Sequence, residues 1–209
     1  MRVASFIGQK GGVGKSALAR VLAVAAARKR HKVLLADFDI EQLTCVEWAK
    51  TRAHEGRQPE IEARAFKTLK KLRKNVSGYD LVVADTRGYA DDLTEAVAEE
   101  SDVVFLPTGT SMDDLRPTLG LARKLARHGI NDKIVLILSK VGRSERQLDD
   151  AIGLIEDSGF APLEVAWPQR DGFQSEFDEG RSGGESTNPH LRQLAAWVED
   201  ALLARVLKS

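Results

Sequence analysis

Two kinds of hydrophobic pattern alternate along this chain. Val3–Ile7, Val33–Ala36, Leu81–Ala84, Val103–Leu106, Ile134–Leu138 and Leu163–Ala166 are short and apolar at nearly every position. Runs of that kind read as strands buried on both faces of a parallel sheet. Between them lie amphipathic stretches near 15–30, 43–54, 66–76, 91–100, 112–128, 144–158 and 189–207, which predict helices. Ser111 followed by Asp114 has the form of a capping box at the start of the 112–128 helix. Pro117 then either kinks that helix or marks a later start. Strand–helix alternation at this spacing predicts an α/β fold, a doubly wound and mostly parallel sheet flanked by helices. Ligands of such a sheet bind at the carboxyl ends of its strands.

A chain of 209 residues suits one compact domain, 1–209. With 43% hydrophobic and 30% charged residues it is neither disordered nor fibrous. The 31 basic and 31 acidic side chains cancel, but unevenly: residues 1–74 carry a net +10 and residues 75–209 a net −10. A uniformly basic nucleic-acid binder is excluded, while a local basic surface is not. The single cysteine, Cys45, leaves no internal disulfide and no zinc cluster, and His31, His54, His128 and His190 form no ligand-spaced pair. The sequence shows no signal peptide and no membrane span, which gives an expected cytoplasmic location. Gly180–Gly184 reads as a surface loop.

Gly8-Gln9-Lys10-Gly11-Gly12-Val13-Gly14-Lys15-Ser16 changes the picture, because it fits G-x-x-x-x-G-K-[ST] between a predicted strand and a predicted helix. Glycines let successive backbone N–H groups turn inward onto phosphate oxygens, and the following helix offers them its positive end. Lys15 is the expected partner of the β- and γ-phosphates and Ser16 of Mg²⁺. Lys10 cannot share that phosphate without repulsion from Lys15, and its use is clearer if it reaches the nucleotide of a partner subunit.

These residues resemble the K-G-G-x-G-K-[ST] hallmark of the ParA/MinD group of deviant Walker A ATPases, and the resemblance runs over about residues 1–205. It implies a P-loop fold, ATP and Mg²⁺ as ligands, and an ATP-sandwiched homodimer in which Lys10 crosses the interface. The loop residues Lys10, Gly11, Gly12, Val13, Gly14, Lys15, Ser16 and Ala17 would then contact nucleotide.

Val33 to Asp39 is an apolar run ending in two carboxylates, and alternation puts Asp37 and Asp39 on one side of an extended chain. They are either site residues or solvated strand-end carboxylates. The family has D-x-D-P-Q here, which assigns water positioning or an outer-shell Mg²⁺ contact to Asp39. This chain reads Asp39-Ile40-Glu41-Gln42, without the proline and one residue longer. Leu81 to Asp85 reads as the Walker B strand, with Asp85 holding a Mg²⁺-bound water. Arg87 replaces a family proline and contacts phosphate, contacts DNA, or pairs with Asp91, Asp92 or Glu95. By the same resemblance, Ser139 and Lys140 end the strand that approaches the base, and Pro168 and Arg170 lie in a loop that flanks it.

Arg64, Lys67, Lys70, Lys71, Arg73 and Lys74 form a basic run with no acid, beside an apolar stripe of Phe66, Leu69, Leu72 and Val76. It is either a solvated face or a phosphate-backbone contact. Arg192 and Arg205 are the C-terminal candidates for DNA. The apolar spacing from Leu191 to Val206 fits core or subunit packing better than an interfacial membrane helix, because Glu199 and Asp200 interrupt it. The resemblance therefore implies a ParA-like ATPase of the short plasmid type. It would bind DNA non-specifically as an ATP dimer on the nucleoid, be stimulated by a ParB-like partner, and segregate a plasmid or chromosome without stable membrane association. The alternatives are positioning of a protein assembly or conjugative-transfer complex, or a nucleotide-gated scaffold with negligible hydrolysis.

Overall fold

The computed structural model describes residues 1–89 and 91–208. The order of elements is β1 (Arg2–Phe6), α1 (Lys15–Arg28), β2 (Val33–Asp37), α2 (Thr44–His54), β3 (Glu62–Ala65), α3 (Leu69–Arg73), β4 (Leu81–Asp85), α4 (Asp92–Glu100), β5 (Val103–Thr108), α5 (Met112–Leu125), β6 (Ile134–Val141), α6 (Glu145–Asp157), β7 (Ala161–Pro162), β8 (Trp167–Pro168), α7 (Asp171–Asp178) and α8 (Pro189–Lys208). Among the described residues eight strands form one parallel sheet in the order β3-β2-β4-β1-β5-β6-β7, with β8 pairing further along β6. From β1 the chain runs to one side of the sheet through β2 and β3, and later to the other through β5 and β6. The carboxyl end of β1 therefore opens into a crevice.

The doubly wound expectation holds because alternate side chains of each central strand find a different apolar layer. Val33, Leu35, Leu81 and Val83 pack with α1, α2, α7 and α8. Leu34, Ala36, Val82 and Ala84 face Leu72 of α3 and Val97 of α4, while Val104, Leu106 and Leu136 face α5 and α6. Strands buried on both sides have no polar face to show, and the sequence has none in these runs.

Several elements differ from the sequence expectation. The Leu163–Ala166 run is not a strand; the two-residue pairings β7 and β8 lie on either side of it. The 66–76 helix shrinks to Leu69–Arg73, capped by the Thr68 side chain, because Phe66 turns into the core beside Phe38. β3 and α7 carry too little apolar periodicity to be seen in advance. α5 begins at Met112 and runs through Pro117, so the proline does not delay the start. Gly180–Gly184 is not a surface loop: Gly180, Ser182, Gly183 and Gly184 are all buried. Gly180, at φ 70°, lies so close to α2 that a Cβ there would meet Arg52 backbone at 2.6 Å. Fully buried Arg52 ties this loop down, donating to the Gly180 carbonyl at 3.0 Å and forking onto Glu185 at 2.6 and 2.8 Å. Guanidinium–carboxylate forks of this kind compensate charges that neither group could bury alone. Trp48, one turn earlier on the same face of α2, donates to the Arg181 carbonyl at 3.1 Å, so two side chains of α2 hold this loop.

Candidate functional site

The loop from Gly8 to Gly14 joins β1 to α1 and needs glycine where the chain turns left-handed, at Gly12 (φ 76°) and Gly14 (φ 95°). Gly14 caps α1 without any side-chain hydrogen bond, and the first turn of α1 holds no acid. Backbone N–H groups at that end are therefore available to an anion. A cleft of about 340 Å³ opens over the loop, lined by Lys10–Val13, Gly109–Ser111, Asp114, Ser139 and Lys140. A larger hollow of about 530 Å³ lies at the other end of β2, between Arg30, Glu60, Glu62 and Tyr79. It has no glycine loop and no helix start, so the smaller cleft is the better anion site.

The two lysines of the loop have different surroundings. Lys15 is buried and donates to the Lys10 carbonyl at 3.0 Å. Burial lowers its pKa, opposed by the charges of Asp85 and Asp39. Lys10 is half exposed and pairs with Asp114 at 2.8 Å across the mouth of the cleft. The Ser111 hydroxyl donates to the other oxygen of Asp114 at 2.7 Å instead of accepting a backbone N–H, which corrects the expected capping box. Lys10 and Ser111 together hold the Asp114 carboxyl below the usual range. Gly109–Ser111 and Asp114 line the cleft without having been assigned to it from sequence, and Asp114 is the charged one among them. An unpaired lysine in the loop was the only hint, and the contact spans 104 positions.

Asp37 and Asp85 end adjacent strands in register. Asp37 is completely buried and accepts three backbone N–H groups, from Asp39 at 3.0 Å, Cys45 at 2.9 Å and Val46 at 3.3 Å. Burial still raises its pKa despite these donors. Asp37 and Asp39 are thus not equivalent: the strand stops at Asp37, and half-buried Asp39 sits in the following loop, accepting from the Gln42 N–H at 3.1 Å. Asp85 is only 1% exposed. One of its oxygens takes the Cys45 thiol at 3.2 Å, and Oδ1 has no partner among the described residues. Burial is the main force that pushes its pKa up to about 6, opposed by the Ser16 hydroxyl and reinforced by the neighbouring Asp37. Just beyond, the 86–88 turn presses on the phosphate loop, where a Cβ at Gly88 would stand 3.1 Å from Gly11 N. Arg87 pairs with Asp91 and stacks over the Tyr89 ring at 4.5 Å, the last of its three readings.

Residues 4–173 match the family described as the CobQ/CobB/MinD/ParA nucleotide binding domain. The chain belongs to this family. It is 34% identical over 115 residues to the maintenance of carboxysome distribution protein A of Gloeobacter kilaueensis, a match covering 54% of this chain and 52% of that protein. The chain thus spans about half the length of that curated relative. The cell division ATPase MinD of Pyrococcus furiosus superposes with a TM-score of 0.77 at 16% identity, covering 97% of this chain and 98% of that one. A putative plasmid partition protein of Borrelia burgdorferi B31 bound to AMPPNP superposes with a TM-score of 0.75 at 18% identity, covering 98% and 99%. Both likenesses speak to the fold.

The base and DNA expectations gather less well in this MinD/ParA-type chain. The Ser139 hydroxyl is buried behind the loop, where a Cβ at Gly14 would meet it at 2.6 Å, and only Lys140 (φ 57°) is exposed at the cleft. Pro168 and Arg170 do not line the cleft; Pro168 borders an apolar groove with Leu148 and Trp197, and Arg170 donates to the Gln169 carbonyl. Ala17 packs on the core beneath α1. Lys67, Lys70, Lys71 and Lys74 are exposed, whereas Arg64 is paired with Glu62 and Arg73 with Glu100. α3 covers one face of the sheet and α8 the other, so Arg192 and Arg205 do not join the lysine run in one surface. Arg192 itself donates to the Ser186 carbonyl at 2.9 Å.

The donor pattern predicts different effects for the two strand-end acids. Asp37→Ala leaves three backbone donors without their acceptor and is expected to destabilise the fold by roughly 3 kcal/mol or more, whereas Asp39→Ala costs about 1 kcal/mol or less. Urea denaturation of both variants checks this; equal losses would contradict it.

Proposed function

We propose that the chain is a Mg²⁺-dependent ATPase that closes as an ATP-sandwiched homodimer and positions a cargo on DNA. The observation that carries this reading is the division between the lysines. Lys15 is buried in its own loop, ready to neutralise the β- and γ-phosphates. Lys10 stands at the mouth of the cleft on Asp114, free to exchange that carboxylate for a phosphate brought by a second subunit. Backbone N–H groups from Gly11 to Ser16, together with Ala17 at the start of α1, bind the phosphates; Ser139 supports the loop, and Lys140 contributes charge at the open side.

The Mg²⁺ fits the residues present. Among the described residues no group of three or more His, Cys, Asp or Glu could hold a metal ion. Ser16, Asp85 and Asp39 are the residues that would hold the ion beside a nucleotide. The unpartnered Oδ1 of Asp85 is the acceptor that a water of the ion needs. When bound, the ion would supply charge neutralisation at the phosphates. Asp39 orients the attacking water, and Lys10 with Lys15 offsets the charge that develops on the transferred group. Pro168 and Arg170 flank the base once the loop around them adjusts.

The exposed Lys67, Lys70, Lys71 and Lys74, doubled in a dimer, supply sequence-independent DNA affinity, with Arg64, Arg192 and Arg205 as lesser contributors. A ParB-like protein stimulates hydrolysis. Plasmid or chromosome segregation is the first cargo reading. The likeness to a carboxysome distribution protein favours a protein assembly as the second. Among the described residues no helix is long and apolar enough to cross a membrane.

Lys10→Ala is expected to slow ATP hydrolysis by ~100-fold or more while ATP affinity changes by less than about tenfold. Steady-state phosphate release and nucleotide titration measure the two, and full turnover in the variant would overturn the trans-acting lysine. ATP-dependent retention of non-sequence-specific DNA should fall steeply with salt. Replacing the four α3-region lysines by glutamine should flatten the log–log slope by about 0.9 for each phosphate no longer neutralised. A salt-independent signal would exclude the DNA-carrier reading.

A further inference from the structure

Cys45 has an environment that its buried position alone does not explain. It lies in the first turn of α2, with its N–H on Asp37 at 2.9 Å and its sulfur 3.2 Å from Asp85 Oδ2 and 4.0 Å from the Ser16 carbonyl. It is fully buried, and its thiol hydrogen is placed to donate to that carboxylate. The acceptor is the Walker B carboxylate; the Ser16 hydroxyl also acts on it, yet among the described residues no donor meets its buried Oδ1 in hydrogen-bond geometry. That orphan is an independent sign that Asp85 is aimed at something outside the protein's own hydrogen bonds. A carboxylate on a strand end can rotate about its last torsion, and one anchored oxygen fixes where the other points.

We propose that Cys45 is a positioning residue for Mg²⁺: its thiol anchors Oδ2 of Asp85 so that Oδ1 faces the water of the nucleotide-bound ion. This inference rests on the reading of the site as a Mg²⁺–ATP site. It also gives the loop from Asp39 to Leu43 a mechanical link to the metal. Leu43, at φ 52°, sets the start of α2, and α2 delivers both the N–H that Asp37 accepts and the thiol that Asp85 accepts. A shift of this loop when nucleotide binds moves Cys45 and therefore Asp85. Groups that orient metal-bound waters commonly change metal affinity by tenfold or more when removed.

The test uses the full chain with a non-hydrolysable ATP analogue and Mn²⁺ as a spectroscopic probe of the Mg²⁺ position. Bound Mn²⁺ is read by electron paramagnetic resonance, and analogue affinity is measured separately in EDTA. Cys45→Ala is expected to weaken Mn²⁺ by roughly tenfold with analogue affinity in EDTA unchanged. Cys45→Ser, which keeps a donor, should recover most of that loss. Cys45→Val fills the space without a donor and should behave like Cys45→Ala, which keeps the test decisive if the alanine variant folds poorly. Unchanged Mn²⁺ affinity in Cys45→Val overturns the proposal, as does equal weakening in Cys45→Ser and Cys45→Val. If the wild-type chain binds the analogue and holds no Mn²⁺ beside it, the Mg²⁺–ATP reading itself fails and this inference goes with it.

Discussion

The carboxyl edge of the sheet depends on how two adjacent buried carboxylates are compensated. Asp37 and Asp85 end neighbouring strands in register, in surroundings where an uncompensated charge costs several kcal/mol. Three backbone N–H groups satisfy Asp37, and that arrangement fixes the start of α2 and the loop before it. Asp85 receives one weak thiol donor and a partial pull from Ser16 and Lys15, and burial leaves its pKa at about 6. One acid therefore works as structure, and the other keeps capacity for a ligand that brings positive charge. Asp85 stays out of water because the strand it ends is buried on both faces.

The lysines show the complementary pattern. Lys15 lies inside the loop with a backbone carbonyl as its partner, where an incoming phosphate can replace that contact at little cost. Lys10 is held outside by Asp114, itself steadied by Ser111. An exposed ion pair of this kind contributes little to stability, so Lys10 can leave it for a stronger anion. A cation is thus parked at the cleft mouth, and an acid with a free buried oxygen ends the neighbouring strand β4.

Much of this arrangement was legible in the sequence. The central strands announced themselves by unbroken apolar runs, and Gly8–Ser16 by a spacing that only a phosphate loop needs. Asp85 stood out by its place after such a run, and Asp39 by the family pattern that the segment resembles. What stayed hidden came from contacts between distant parts of the chain. Asp114 looked like a helix cap because its lysine partner is far away in sequence. Cys45 counted only as a cysteine with no disulfide or zinc partner, since nothing local reveals that α2 lays it against β4. Gly180–Gly184 looked like a surface loop because Arg52, the cation that buries it, sits on another helix. Alternation put Asp37 and Asp39 on one side of the chain, but it applies only while the chain stays extended, and the strand ends at the first of them.

The decisive measurement is calorimetric titration of a non-hydrolysable ATP analogue, with Mg²⁺ and with EDTA, into the wild-type chain and Asp85→Asn. If the free oxygen of Asp85 serves the ion, Mg²⁺ tightens binding to the wild type and most of this gain disappears in Asp85→Asn, while binding in EDTA is nearly the same for both. An equal Mg²⁺ gain in the two proteins would contradict it.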